Sequence, residues 1–352
     1  MFVMRRMGLA MLVGAGILAL SSLLQAEDGL EGDEVSEADE DERSEAAKRY
    51  GTEQNVFELP DDDVDVIGEV KTVEARHEDT LLEIARRHGV GYLEIRRANP
   101  DVDVWMPGEG TEVTIPTRFI LPPGPREGVV VNLPEMRLYY YPEPGPDGKR
   151  VVETYPISIG RMDWSTPIGE TTVTMRLEDP AWFPPASVRE RYESEGRSLP
   201  RRVDPGPDNP LGRHAIGLDV PGYFIHGTNR PAGIGMRATH GCIRMFPEDI
   251  EHIVHRVSRG TPVRILNEPF KAGWSAEGEV YLQAYPSLTE DEDELAEHGV
   301  RPAVEAVAGV LRERSARVDY QRLKDVAQEA HGRPEAITRE AIQRDMVSAE
   351  QQ

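Results

Sequence analysis

The 352 residues predict a mainly β domain of sandwich type, a small α+β module ahead of it and a partly helical extension behind it. Three patterns carry this. Between Val129 and Leu266, short β-prone runs alternate with Gly- and Pro-rich breaks, as in a sandwich or barrel-like sheet. Val70 to Pro116 reads as strand, helix, helix, strand. Residues 302–314 and 320–330 repeat apolar side chains at helical spacing. The chain therefore divides into 1–26, 27–69, 70–117, 126–267 and 268–352.

Met1 to Ala26 has the form of an export signal. Arg5 and Arg6 give a basic start, and Gly8 to Leu20 is an apolar run too short to span a bilayer comfortably. Leu24-Gln25-Ala26 is an acceptable cleavage site, while the uncharged stretch from Met7 to Leu24 leaves an uncleaved anchor as the alternative. Either way the remainder is exported. Glu27 to Asp65 holds 17 acids against three bases, net −14 of the chain's −23. With few large apolar residues it predicts a disordered, solvated linker. The acidic balance argues against nucleic acid, which needs clustered Lys and Arg. One cysteine excludes an internal disulfide.

In the small module, Lys71 to Arg76 reads as a strand. Asp79 caps a helix with Leu81, Leu82, Ile84 and Ala85 on its apolar side, and Gly89 ends it. Tyr92 to Ala98 is a second helix stopped by Asn99-Pro100, and Thr111 to Ile115 closes the unit as a strand. Pro122 to Pro125 is a stiff linker. Val129 to Leu133, Met136 to Tyr141 and Val151 to Ile159 are strands. The Pro-rich stretch from Trp182 to Leu211 is too long for an idle loop, and Trp182, Phe183 and Tyr192 favour an ordered lid. Arg201 and Arg202 within it suit either surface charge or attraction of carboxylates. His214 opens a strand and is read as structural. Thr261 to Leu266 closes the β domain, and Gly278 to Tyr285 adds an edge strand.

The chemistry concentrates between Tyr223 and Ile250, YFIHGTNRPAGIGMRATHGCIRMFPEDI. Cys242 is the one cysteine; His226 lies sixteen residues before it and His240 two. A thiolate is the nucleophilic form of cysteine, so a reactive cysteine needs a group to take its proton. A nearby histidine does so if a third group orients its ring. Tyr223 to Ile225 is apolar and β-prone, so His226 ends a buried strand; Gly227 to Arg237 is loop. His240-Gly241-Cys242 turns sharply on Gly241. Pro247-Glu248-Asp249 opens an amphipathic helix running to about Val257, which places Cys242 on a turn just ahead of a helix start. In this reading His226 is base and then acid, the Gly227 carbonyl holds its tautomer, and the amides of Gly241 and Cys242 receive an oxyanion. The His and Cys spacings fit no zinc pattern.

The His-Gly pair, the gap and then THGCIRM resemble the signature of the L,D-transpeptidase catalytic domain of the YkuD type. The resemblance implies a mostly β fold with a helix after the catalytic cysteine, acylation of Cys242, His226 as the catalytic histidine, and His240 lining the site. It makes Arg244, Thr239 and Thr228 substrate-binding candidates. Arg161 and Thr166, from Gly160-Arg161 and Thr166 to Glu170, resemble a second motif in a loop near the site; an ordinary turn is the plainer reading of TPIGE. EDTLLEIARRHGV and RRANPDVD resemble a LysM domain, which implies binding to N-acetylglucosamine-containing glycan or a spacer of the same fold. Together these imply a periplasmic enzyme of a Gram-negative envelope, needing no cofactor and no metal. It would cut a peptidoglycan tetrapeptide stem between diaminopimelate and the terminal D-Ala. The acyl group would pass to a second diaminopimelate, giving a 3-3 cross-link, or to a lysine of an outer-membrane lipoprotein. Hydrolysis of the same acyl-enzyme, as an L,D-carboxypeptidase or amidase, and a non-enzymatic wall-binding protein are the competing readings.

Overall fold

The computed structural model describes residues 55–338 except 147, 161–165, 240, 289–298 and 313. The predicted signal segment, residues 27–54 of the predicted linker, Arg161 and His240 lie outside the described residues.

Residues 55–69, expected to belong to the solvated linker, are structured instead. Strand β1 (Val56–Glu58) pairs antiparallel with β6 (Val151–Gly160), Val56 opposite Glu153. The apolar pair Val56-Phe57 suffices because β6 supplies the hydrogen bonds and Phe119 packs edge-on against Phe57 at 6.0 Å. Strand β2 (Val66–Glu74) begins earlier than expected. It pairs along its whole length with β3 (Glu112–Ile120), from Val66 opposite Ile120 to Glu74 opposite Glu112. Between them lie helices α1 (Leu81–Arg87) and α2 (Tyr92–Ala98), in the predicted order. The cap of α1 is Thr80 rather than Asp79: Thr80 and Glu83 form a reciprocal capping box. The Asp79 carboxylate accepts instead from the Arg76 amide at 2.9 Å and pairs with Arg87.

The large sheet contains β4 (Gly128–Asn132), β5 (Arg137–Tyr141), β6, β7 (Gly169–Glu178), β8 (His214–Leu218), β9 (Phe224–His226), β10 (Arg237–Thr239), β11 (Ile243–Met245) and β12 (Pro262–Leu266), with β1 at its edge. Its pairings run β6-β11-β9-β8-β7-β12-β4-β5 and return from β5 to β6, so the layers expected of a sandwich are one sheet closed on itself. Val129, Val131, Leu138, Tyr155, Ile157, Ile225 and Ile243 point to one core, sealed by α4 (Pro247–Val254) through Ile250, Ile253 and Val254. Val130, Tyr139, Tyr141 and Val152 point to a second core shared with Phe119 and Leu121. Burial on both faces explains why Val129 to Val131 is a continuous apolar run rather than an alternating one.

Helix α3 (Ala186–Ser194) and the bridge between Trp182 and Val203 order the segment joining β7 to β8. The C-terminal part builds its own sheet, β13 (Phe270–Trp274), β14 (Val280–Ala284) and β15 (Glu335–Ala336), covered by α5 (Arg301–Val310) and α6 (Tyr320–Glu329). The strand expected near Gly278 to Tyr285 is thus the middle of this sheet. A buried Lys271–Glu135 pair at 2.7 Å ties β13 to the β4–β5 turn.

Candidate active site

Strand pairing brings the two predicted reacting groups to one face of the sheet. Strands β9 and β11 are parallel neighbours, with Ile225 opposite Ile243 and His226 opposite Arg244. Side chains alternate along a strand, and Ile225 and Ile243 are both buried in the core. His226, Phe224 and Arg244 therefore share the other face. One step back from β11, the same alternation sets Cys242 on that face, level with Phe224. The Cys242 thiol donates to the Gly222 carbonyl (Sγ···O 3.6 Å), and the Phe224 amide interacts with the same sulfur.

The turn that presents Cys242 is held from several sides. Gly241 has φ +100°, where a side chain would be strained. Strand β10 runs parallel to β6, with Thr239 opposite Gly160. The Thr239 hydroxyl donates to the Cys242 carbonyl at 2.6 Å. Buried Thr166 donates to the Gly241 carbonyl at 2.9 Å and accepts from the Gly160 amide at 3.3 Å. A trans peptide is planar with its C=O and N–H opposed, so fixing the Gly241 carbonyl also aims the Cys242 amide. This role was not readable from the sequence, since the two residues stand 75 apart. Thr228 is buried, with its hydroxyl accepting from the Arg230 amide at 2.9 Å. The helix after Cys242 opens at Pro247 as expected. Helix α4 has Glu248 and Asp249 in its first turn; the strand β11 standing between Cys242 and the helix was not foreseen, and the helix ends at Val254 rather than near Val257.

His226 is buried, and its Nδ1 lies 2.6 Å from the Gly227 carbonyl. With Nδ1–H donating there, Nε2 keeps its lone pair for a proton. The Gly227 amide donates in turn to the His214 carbonyl at 3.0 Å, so the orienting residue is itself anchored on β8. Burial, with the Arg244 charge adding to it, pushes His226 down to about 3, although the Gly227 and Leu211 carbonyls favour its protonated form. Burial pushes the Cys242 thiol up, against the pull of the Phe224 amide and Arg244. The resting pair is therefore imidazole and thiol, not an ion pair. Such a pair can act only by passing the proton as the sulfur attacks, which is general-base chemistry.

Residues 126–265 match the family model of the L,D-transpeptidase catalytic domain, YkuD. The chain is 41% identical over 245 residues to the probable L,D-transpeptidase YcfS of Escherichia coli, covering 68% of this chain and 75% of that one. It is 37% identical over 287 residues to the probable L,D-transpeptidase ErfK/SrfK of Salmonella typhimurium, covering 80% and 91%. Against probable L,D-transpeptidase YbiS of E. coli it is 37% identical over 249 residues, covering 70% and 80%. Among solved structures, the catalytic domain of an Enterococcus faecium L,D-transpeptidase is 23% identical, spans 40% of this chain and 96% of that one, and gives a TM-score of 0.29. With a histidine and a cysteine on one sheet face inside the matched region, and with relatives this similar along most of its length, the chain belongs to the L,D-transpeptidase family.

Proposed function

We propose that this enzyme transfers the acyl group of a peptidoglycan tetrapeptide stem through a thioester on Cys242. The observation that carries the reading is the shared face of β9 and β11, which presents His226 and Cys242 together with the Gly227 carbonyl at Nδ1. Cys242 Sγ adds to the diaminopimelate carbonyl while His226 Nε2 takes the thiol proton. The tetrahedral oxyanion is received by the amides of Gly241 and Cys242, the latter aimed by Thr166. The C–N bond then breaks, His226 returns the proton to the departing D-Ala amine, and the thioester remains. An acceptor amine attacks that thioester, and the new C–N bond forms as the C–S bond breaks; the amine's proton passes through His226 to the departing Cys242 sulfur. His240, Arg244, Thr228, Thr239 and Arg161 are assigned to substrate binding.

The acceptor is the amine of a second diaminopimelate or the lysine of an outer-membrane lipoprotein. The module over 70–117 is assigned as a glycan-binding LysM unit, and Met1 to Ala26 as the signal that delivers the protein to the periplasm. Incubation with tetrapeptide muropeptides, followed by mass spectrometry, tests the reading. Loss of D-Ala with a diaminopimelate-to-diaminopimelate amide supports transfer. Tripeptide alone assigns hydrolysis, and unaltered muropeptide alone overturns the proposal.

A further inference from the structure

The N-terminal module touches the loop that delivers the cysteine. The Tyr92 amide donates to the Ile234 carbonyl at 3.0 Å, and the Leu93 amide to the Gly235 carbonyl at 3.4 Å. The approach is close enough to demand glycine on both sides. A Cβ on Gly235, whose φ is +88°, would stand 2.3 Å from the Tyr92 nitrogen, and one on Gly91 would stand 2.9 Å from the Gly235 Cα. The start of α2 is itself clamped to the catalytic sheet. The Glu94 carboxylate accepts from the Gly91 amide at 2.7 Å and from fully buried Arg137 at 2.8 and 3.1 Å. Arg137, on β5, also donates to the Gly89 carbonyl at 2.8 Å and to Thr154 at 3.1 Å. On the loop's far side, Ser158 donates to the Gly233 carbonyl at 2.7 Å. The chain then enters β10 and reaches Thr239, whose hydroxyl holds the Cys242 carbonyl.

We propose that the Tyr92 and Leu93 amides, held by Glu94 and Arg137, are positioning groups for the Cys242 turn, so that the N-terminal module is part of the catalytic apparatus rather than a detachable anchor. Its effect on acyl transfer rests on the function proposed above; its effect on the thiol does not. A reacting group misplaced by about 1 Å costs on the order of 100-fold in rate. The stretch from Ile234 to Thr239 has the α2 amides on one side and β6 on the other to prevent that.

The test uses the full chain. Tyr92 is the first residue of α2 and Gly91 before it is extended (ψ 164°), so Tyr92→Pro keeps the helix while deleting the amide. Tyr92→Ala keeps the amide and removes the ring. Arg86→Gln breaks the two bonds, 2.7 and 2.8 Å, that join the module to Glu248 elsewhere in the same interface. Cys242 is the one cysteine of the chain, so iodoacetamide alkylation against pH reads this site alone. Burial is what raises the thiol, so loosening the turn lowers the alkylation midpoint toward the ordinary value of about 8.5. Relative to Tyr92→Ala, Tyr92→Pro shifts the midpoint down and slows single-turnover acylation by a carbapenem-type β-lactam about tenfold or more. Arg86→Gln alters neither. A folded Tyr92→Pro that matches Tyr92→Ala in both readouts overturns the proposal, as does an equal shift in Arg86→Gln. Should Tyr92→Pro fail to fold, Glu94→Gln decides: it weakens the clamp and shifts the midpoint the same way, and a wild-type profile overturns the proposal. If the wild-type enzyme transfers no acyl group, the proposed function falls while the alkylation series still decides the positioning role.

Discussion

At the scale of residues, the active-site pair rests in its neutral forms, and that has two measurable consequences. A neutral imidazole must take the thiol proton as the sulfur attacks. His226→Ala therefore lowers the acylation rate by about 10²–10⁴, read as the rate of mass gain with a carbapenem-type β-lactam. Acylation at the wild-type rate would remove His226 from the mechanism. The second consequence is on stability. Unfolded, the ring protonates near its ordinary 6.5; folded, only near 3. Above pH 6.5 neither state binds the proton, so the ring carries no pH-dependent penalty. As pH falls from 6.5 toward 3 the unfolded chain binds the proton and the native fold does not, so stability is lost over that window. Denaturant midpoints of the wild type and His226→Gln, compared at pH 7 and pH 4.5, are expected to show a steeper acid loss in the wild type; parallel losses would contradict it.

At the scale of elements, the site is a matter of strand register and of one turn. His226 and Cys242 share a sheet face because β9 and β11 are in parallel register, and a slip by one residue would turn one of them into the core. The turn depends on Thr166. Thr166→Val removes the donor to the Gly241 carbonyl and the acceptor for the Gly160 amide, both buried. The expected cost is about 1–3 kcal/mol in unfolding free energy, with slower acylation because the Cys242 amide is no longer aimed. Chemical denaturation and single-turnover kinetics on the same variant check both, and a slow but undiminished fold would assign Thr166 to the chemistry alone. Much of this level was legible in the sequence. Tyr223 to Ile250 carries the proposed reacting pair within one local stretch, and the apolar, β-prone run Tyr223 to Ile225 already implied that His226 ends a buried strand. Thr166 could not be read in the same way, because its partner is Gly241 across the fold. Strand β1 was hidden for another reason: Val56-Phe57 lies inside an acidic run whose overall composition reads as solvated.

At the scale of the whole molecule, the module, the β domain and the C-terminal sheet are joined by buried polar and charged contacts that no local pattern reveals. Glu94 looks like a solvent-facing helix residue until Arg137, 43 positions away, is seen to be its partner. Asn55 and Asp249 meet across 194 positions at 3.3 Å, and Lys271 reaches Glu135 from the C-terminal sheet. A proline-stiffened tether predicts a separable anchor; the observed contacts predict interdependence. Glu94→Ala leaves Arg137 charged and buried without its carboxylate, so the whole chain is expected to lose about 3–5 kcal/mol of stability by denaturant unfolding. A loss under about 1 kcal/mol would mean that the junction is less important than its burial implies. In the proposed reaction the stem's acyl group is carried on Cys242. The most direct test is intact and peptide-mapped mass of the enzyme quenched in mid-turnover with a tetrapeptide muropeptide. An adduct of the donor less D-Ala, mapped to Cys242 and missing from Cys242→Ala, is the predicted result; D-Ala released with equal efficiency by Cys242→Ala, with no adduct on the wild type, would contradict it.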